Sequence, residues 1–375
     1  MTIDLKTSRF YSNRRQFLQT SAAALSGLAL SSCGWKLAEV KASTSHPTSA
    51  DKRLLDIYTW AGYTDDDLLK RFSRETGIQV RAGVFGSNEE MLNKIQASGG
   101  GDYSIIYPSD YVVSKMVEKG LLAELDHSRL TGLENLFPRF QNPTADPGLR
   151  YSVPMAWGTT CLIYNAEKLK IPPEDWSYLW EHKPELSKRI TLLDDVREVM
   201  GATLKMLGYS YNSTDPAQLK QAYEKLVELK PAIASFTSDA WQNQILSGDL
   251  LLAMCYTSDA NKVIAENNQL QYVIPRSGSS VWMDTLAIPK TARNPSGAYT
   301  WINFMLQPDV AAQVCQRLSF ATPNQVAFNQ LPSPFRNNIG LFPPDSLVQK
   351  CESIAQIGKS ADDIYDNYWT RLRSG

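Results

Sequence analysis

The sequence predicts an α/β fold in two lobes. Short apolar runs alternate with amphipathic helical segments from about residue 54 onward. Once a leader of residues 1–32 is set aside, 343 of the 375 residues remain, enough for one large core or for two domains, with two the expectation. The pattern of strands also passes twice from one region to the other, near 152–164 and again at Trp282–Ile288. Two crossings between two α/β bodies predict a hinged clamshell with a cleft between the lobes.

Taken in order, Leu54–Thr59 is read as a buried strand, Asp65–Glu75 as a helix stopped near Gly77, and Ile78–Phe85 as a second strand. Asn88 is expected to cap a helix running to Ala97. The break Gly99-Gly100-Gly101 precedes a strand over Tyr103–Tyr107 and a helix from Ser109 to Lys119. Parallel strands connected this way present their C-terminal ends along one edge, where ligands bind. That rule nominates the loops Trp60–Tyr63, Gly86–Asn88 and Pro108–Tyr111.

A second region follows an extended crossing through Thr160–Tyr164. It holds a strand at Ile190–Leu193, a helix at Val196–Gly208, and a helix at Pro216–Leu229 with Thr214 or Asp215 as its cap. Leu250–Tyr256, Ser258–Asn267 and Leu270–Ile274 repeat strand, helix, strand. After the return through Trp282–Ile288, helices are expected at Ala298–Leu306 and Val310–Leu318, separated by Gln307-Pro308. The lobes are therefore drawn as 53–158 plus 284–328, and 159–283 plus 329–375.

The N-terminus carries Asn13-Arg14-Arg15-Gln16-Phe17-Leu18, a twin-Arg pattern ahead of a weakly apolar stretch, and predicts export. Leu30-Ser31-Ser32-Cys33 resembles a lipobox, so Cys33 is the expected lipid anchor, and residues 33–52 read as a flexible tether. A lipid chain at Cys33 is then the only expected attachment to a membrane. Without the leader, 38 basic residues fall to 34 and 39 acidic residues to 38, a mild acidity that argues against nucleic acid as a partner.

Metal, cofactor and hydrolase signatures are absent from the sequence. The three histidines, His46, His127 and His182, form no H-x-x-x-H pair, and no G-x-S-x-G elbow is present. Gly358-Lys359-Ser360 mimics the end of a phosphate loop, but Ser353 stands where its first Gly belongs, so it reads as a surface turn. Cys161, Cys255, Cys315 and Cys351 lack metal-ligand spacing. Four buried thiols are expected, with Cys315–Cys351 the pair to test for a disulfide.

The chemistry that does stand out suits an organic cation. Trp282 and Asp284 fall two residues apart on one strand face, giving a carboxylate for an ammonium and an indole for methylenes and charge. The competing explanation is a buried Trp beside a solvated Asp. Asp195 and Glu198 open a helix after a strand; they have the spacing of a cap and its capping-box partner, or of two acids facing a ligand. A glycosidase-like acid and base pair is a third reading of them.

These segments together resemble the spermidine/putrescine-binding proteins of bacterial polyamine ABC transporters. The resemblance is carried by Ile57-Tyr58-Thr59-Trp60-Ala61-Gly62-Tyr63, Glu75-Thr76-Gly77-Ile78, Ser87-Asn88-Glu89-Glu90-Met91, Pro108-Ser109-Asp110-Tyr111, Asp194-Asp195-Val196-Arg197-Glu198-Val199, Leu207-Gly208-Tyr209-Ser210, Trp282–Pro289 and Thr322-Pro323-Asn324. It implies a type II periplasmic-binding-protein clamshell, each lobe a mainly parallel sheet flanked by helices, in a monomeric periplasmic protein that is not an enzyme. It implies that Trp60, Tyr63, Tyr111 and Trp282 box the ligand's methylenes, that Asp195, Glu198 and Asp284 hold its amines, and that Ser109 adds a polar contact. A membrane permease and an ATPase are the implied partners.

The chain departs from that pattern in ways that bear on ligand choice. Ala61 and Gly62 replace a Thr and an acid, Tyr256 stands for a Trp, and Phe320 stands for a Tyr. An expected Gln aligns poorly around Glu352–Gln356. One acid fewer weakens the case for a triply charged ligand, with Asp110 or Asp259 as compensating candidates, so putrescine, agmatine or another short cation stays open. The rivals are the same clamshell around an amino acid or sugar, for which Arg197 is the only nearby anchor, and an exported hydrolase.

Overall fold

Strand and helix alternation is realised from the first described residue. The computed structural model describes residues 52–99, 102–319 and 321–374; the leader, Cys33, the tether and Phe320 lie outside them. Strand β1 (Leu54–Trp60) is followed by α1 (Asp66–Thr76), β2 (Gln79–Phe85), α2 (Asn88–Ala97), β3 (Ile105–Ile106) and α3 (Asp110–Glu118). β2 and β3 lie parallel to β1 on either side of it. Their C-terminal ends therefore share one edge, the condition that nominates the three loops.

Local chemistry sets the helix limits. The Asp65 carboxylate accepts from the Leu68 N–H at 2.8 Å, and Gly77, at φ 72°, ends α1 in the left-handed region that glycine enters at no steric cost. The expected cap of α2 is displaced by one residue. Ser87 Oγ accepts from the Glu90 N–H at 3.1 Å, which releases the Asn88 side chain for another use. The strand expected over Tyr103–Tyr107 shortens to Ile105–Ile106, although the Ser104 and Tyr107 N–H groups still donate to Asp56 and Tyr58 carbonyls of β1.

The long strand β4 (Ser152–Asn165) is buried along its whole length, and its register shows why. Its first half pairs antiparallel with β9 (Ser280–Ala287), from Ser152 opposite Ala287 to Thr159 opposite Val281. Its second half pairs with β7 (Leu252–Tyr256) and β8 (Leu270–Val273). Between them run β5 (Ile190–Leu192), α4 (Val196–Met206), α5 (Pro216–Leu229), β6 (Ile233–Phe236), α6 (Trp241–Leu246) and α7 (Thr257–Glu266). Strand order is β2-β1-β3-β9-β4-β7-β5-β6, with β10 (Glu352–Ser353) pairing onto β9. α8 (Pro295–Leu306), α9 (Pro308–Leu318) and α10 (Lys359–Ser374) complete the larger elements. β6, α6 and α10 are additions to the elements expected from sequence, and Gly358-Lys359-Ser360 is the entry to α10, with Gly358 at φ 78°.

The apolar side chains sort into separate cores. One is built from residues between Leu55 and Trp157 and between Met283 and Ala321. Two others draw on Cys161–Ile274, with Ile354, Tyr365 and Leu372 from the C-terminal segment. β4 is thus the strand that runs from the first core into the others, with β9 paired along its first half. Past residue 328 the chain stays with the first body for longer than the sequence division allows. Leu331, Phe335 and Phe342 pack with Ala311, Ala312 and Cys315 of α9, and Phe342 also packs on the first core.

Among the described residues the four cysteines are unbridged, and the neighbours are not the pair singled out above. Cys315 is buried beside Ala327 and Leu331, whereas Cys351 packs with the β7 side. Cys161 and Cys255 face each other across β4 and β7, their sulfurs 3.6 Å apart. Strand register, invisible in residue spacing, makes that juxtaposition.

Helix α4 contains one close approach that its composition hides. A β-carbon on Gly201 would lie 2.1 Å from Tyr211 Cε1, so only glycine lets the fully buried Tyr211 ring lie against the helix. The contact offsets the helix-propensity cost of an internal glycine, about 1 kcal/mol. Gly201→Ala is expected to destabilise the protein by about 1–3 kcal/mol through overpacking, despite alanine's better propensity, as read from chemical denaturation.

Candidate functional site

A cavity of about 300 Å³ opens where the strand ends of both bodies meet. Trp60, Tyr63, Ser109, Tyr111, Asp195, Glu198, Tyr256, Trp282 and Asp284 all line it. Every described residue of the expected site is therefore brought to one place; Phe320 lies outside the described residues. Eight lining side chains are carboxylic acids, and Lys262 is the one Lys or Arg among them.

Asp284 is held by the first body. Strand alternation on β9 sends Met283 into the core and turns Trp282 and Asp284 to the cavity. Tyr63 Oη donates to Asp284 Oδ2, and Ser109 Oγ donates to Oδ1 at 2.6 Å. Gly62, at φ 74°, makes the turn that brings Tyr63 back under the end of β1. The freed Asn88 side chain sits behind this group, with Nδ2 3.0 Å from Ser109 Oγ and 3.2 Å from Tyr111 Oη. Its Oδ1 accepts from the Ser109 N–H at 3.2 Å. Asn88 is thus a positioning residue and not the helix cap that its place in the sequence predicts.

Glu198 is held by the second body, and not as a capping-box partner. Asp195 does cap α4, its Oδ1 accepting from the Arg197 and Glu198 N–H groups at 2.8 and 3.1 Å. The Glu198 carboxylate instead accepts from Tyr211 Oη at 2.7 Å and lies 2.9–3.0 Å from Ser280 Oγ, itself 2.9 Å from Thr160 Oγ1. Tyr211, Ser280 and Thr160 are site residues that sequence reasoning misses. Tyr211 reads as a turn tyrosine, and only its burial against Gly201 makes it a donor to Glu198. Asp195 thus serves the helix with one oxygen, while Oδ2 has no hydrogen bond among the described residues.

The aromatic wall is equally specific. Trp282 and Tyr256 meet edge to face, ring centroids 6.0 Å apart, and Trp60 packs on Phe85 at 4.5 Å. The indole of Trp282 lies over Gly158, where a β-carbon would come within 2.3 Å of Cζ2. The position opposite Trp282 on β4 must therefore be glycine for the ring to lie flat.

Burial without a counter-charge raises the acids. Asp284 is pushed up to about 6 by desolvation, opposed by its bonds from Ser109 and Tyr63. Glu198 rises to about 7 through desolvation and the neighbouring Asp195, and Asp110 to about 8 through desolvation. Asp195 is raised as well, chiefly by desolvation. Three of these acids are almost completely covered: Asp284 is 5 % exposed, Asp110 6 % and Glu198 1 %. A cavity with this surplus of desolvated acid attracts cations and repels anions. Arg197 does not alter that, because its guanidinium donates to Asn212 Oδ1 and the Ala355 carbonyl and lies over the Tyr365 ring, outside the cavity.

The family described as bacterial extracellular solute-binding protein matches residues 67–342. The spermidine/putrescine-binding periplasmic protein of Salmonella typhimurium is 38% identical over 330 residues, 87% of this chain and 93% of that one. Spermidine/putrescine-binding periplasmic protein 1 of Haemophilus influenzae is 34% identical over 96% of this chain and 99% of its own. A crystal structure of a spermidine/putrescine ABC transporter substrate-binding protein from Streptococcus pneumoniae, in complex with calcium and HEPES, superposes with a TM-score of 0.79 at 36% identity, covering 86% of this chain and 98% of that one.

Raised carboxylate pKa values make the empty cavity a pH-dependent cost. A group that is harder to ionise when folded contributes stability below its unfolded pKa, near 4, and that contribution is lost as pH rises through the folded value. Asp284→Asn removes the effect. Relative to the parent, the variant should gain up to about 3 kcal/mol of stability between pH 4 and pH 8, at about 1.4 kcal/mol for each pH unit separating the folded and unfolded pKa. Denaturation curves at both pH values check this.

Proposed function

Because this chain belongs to the bacterial extracellular solute-binding protein family, we propose that it captures a polyamine in the cleft between its lobes and delivers it to an ABC importer. The observation that carries the reading is the surplus of carboxylates around an aromatic box, with no cavity-lining arginine among the described residues. The protein is a solute-binding protein and not an enzyme. Asp284, with Tyr63 and Ser109, receives one ammonium; Glu198 and Asp195 receive the other. Trp60, Tyr111, Tyr256 and Trp282 enclose the methylenes between them. The names of the relatives support a periplasmic location and a membrane permease and ATPase as partners.

Magnitudes favour a cationic ligand. A contact ion pair is worth about 1 kcal/mol in water and about 4 kcal/mol at an effective dielectric near 20, so excluding water strengthens each amine contact. Cation–π contacts with the indoles add about 0.5–2 kcal/mol each. Binding has to displace protons from Asp284 and Glu198, so affinity should rise with pH from about 5 to 8. An amino acid or sugar acid lacks a counter-charge here, because Arg197 is engaged elsewhere. We further propose export by the twin-Arg leader, a lipid at Cys33, a monomeric state, and lobes divided near residues 158 and 284.

Calorimetric titration with putrescine, spermidine, spermine and agmatine tests the assignment, and silence toward all four removes it. Asp284→Asn and Trp282→Ala should each weaken binding at least tenfold while the variants remain folded. Unchanged affinity in both would place the site elsewhere. Below pH 8, heats measured in buffers of different ionisation enthalpy should show net proton release on binding, growing as pH falls toward 6.

A further inference from the structure

The acid count around the cavity overstates the number of ammonium stations that a ligand finds. Lys262 lies on α7 of the second body, three residues after Asp259, and both line the cavity. Its Nζ stands 3.3 Å from Asp259 Oδ1. The same nitrogen reaches toward the first body, where a β-carbon on Gly62 would lie 3.9 Å from it. Gly62 keeps that space open, since its φ of 74° disfavours any side chain. Gly62 precedes Tyr63, whose hydroxyl donates to Asp284, so Lys262 and its partner Asp259 stand beside the Asp284 station.

We propose that Lys262 determines specificity: its ammonium is a built-in cation that occupies Asp259, so the cleft takes linear diamines and rejects triamines. The inference rests on the polyamine reading of the cleft. Two stations remain for a ligand, Asp284 in one body and Glu198 with Asp195 in the other. A third ammonium extending past Asp284 meets Lys262, and like charges in a partly desolvated cleft repel; the remaining acid on that side, Asp239, is exposed to water and holds an ammonium weakly. Extension past Asp195 gains little, because Asp194 is paired with Arg373 at 2.6 Å and Glu89 is exposed to water. Asp110 offers no substitute, since its Oδ1 accepts the Tyr111 N–H at 2.9 Å and its carboxyl is nearly sealed from water.

Calorimetry with putrescine and spermidine on the parent protein, Lys262→Met and Lys262→Gln tests the assignment. The parent should bind putrescine at least tenfold tighter than spermidine. Both variants should narrow that ratio at least fivefold by strengthening spermidine, with putrescine changed less than threefold; two replacements of different polarity separate lost charge from local repacking. A parent that binds spermidine as tightly as putrescine, or a ratio unmoved by both substitutions, overturns the role of Lys262 while leaving polyamine capture intact. Failure of both ligands to bind the parent overturns polyamine capture itself, and this inference with it.

Discussion

Antiparallel pairing of β4 with β9 is the contact on which the remaining structure depends. Residues Ser152–Thr159 lie opposite Val281–Ala287, and β4 then leaves the first core for the others. Because side chains alternate across a strand, this pairing decides which residues see the cavity. Trp282 and Asp284 face it, Met283 does not, and Gly158 supplies the flat surface under the indole. Ser280, the preceding residue on the same face, reaches Glu198. Slipping the register by one residue would bury the wrong set. The paired strands therefore bring to the cavity both Asp284 and the Ser280 hydroxyl that lies against Glu198.

The cavity is built against a cost. Desolvated acids at close quarters resist ionisation, and the protein offsets that resistance with fixed donors rather than counter-ions. Tyr63 and Ser109 donate to Asp284, while Tyr211 and Ser280 attend Glu198. Hydroxyl donors lower each carboxylate's pKa part of the way and leave net negative charge for an ammonium. An arginine in the same place would have stabilised the empty cleft more and repelled any cation. Lys262 shows that alternative realised at the rim, where it neutralises Asp259 instead of an anchor.

Most of the scaffold is legible in the sequence because periodicity and caps are local. β1, α1, β2, α5, α8 and α9 follow from apolar spacing, with Gly77 ending α1, Asp215 and Pro216 opening α5, and Gln307-Pro308 separating α8 from α9. The three nominated loops do line the cavity, since parallel strands place their ends together. What escapes are short or amphiphilic pieces such as Ile233–Phe236 and the polar α10, whose partners lie far away in sequence. The disulfide candidate fails for the same reason. Cys161 and Cys255 are 94 residues apart, and only strand register makes them neighbours.

Residue identity by itself pointed to the class of ligand chemistry, through carboxylates and aromatics at the ends of predicted strands. Tertiary structure decided how those acids are held. Asn88 became a positioning residue because Ser87 took the cap, Tyr211 became a donor because Gly201 admits its ring, and Asp259 found an ion-pair partner in Lys262. Each outcome turns on a contact of a few ångströms, and what holds the anchors is distant in the chain: Asn88 reaches Ser109 across 21 residues and Ser280 reaches Glu198 across 82. Local patterns encode faces and ends, whereas such contacts exist only once separate cores have packed and the strand register is set.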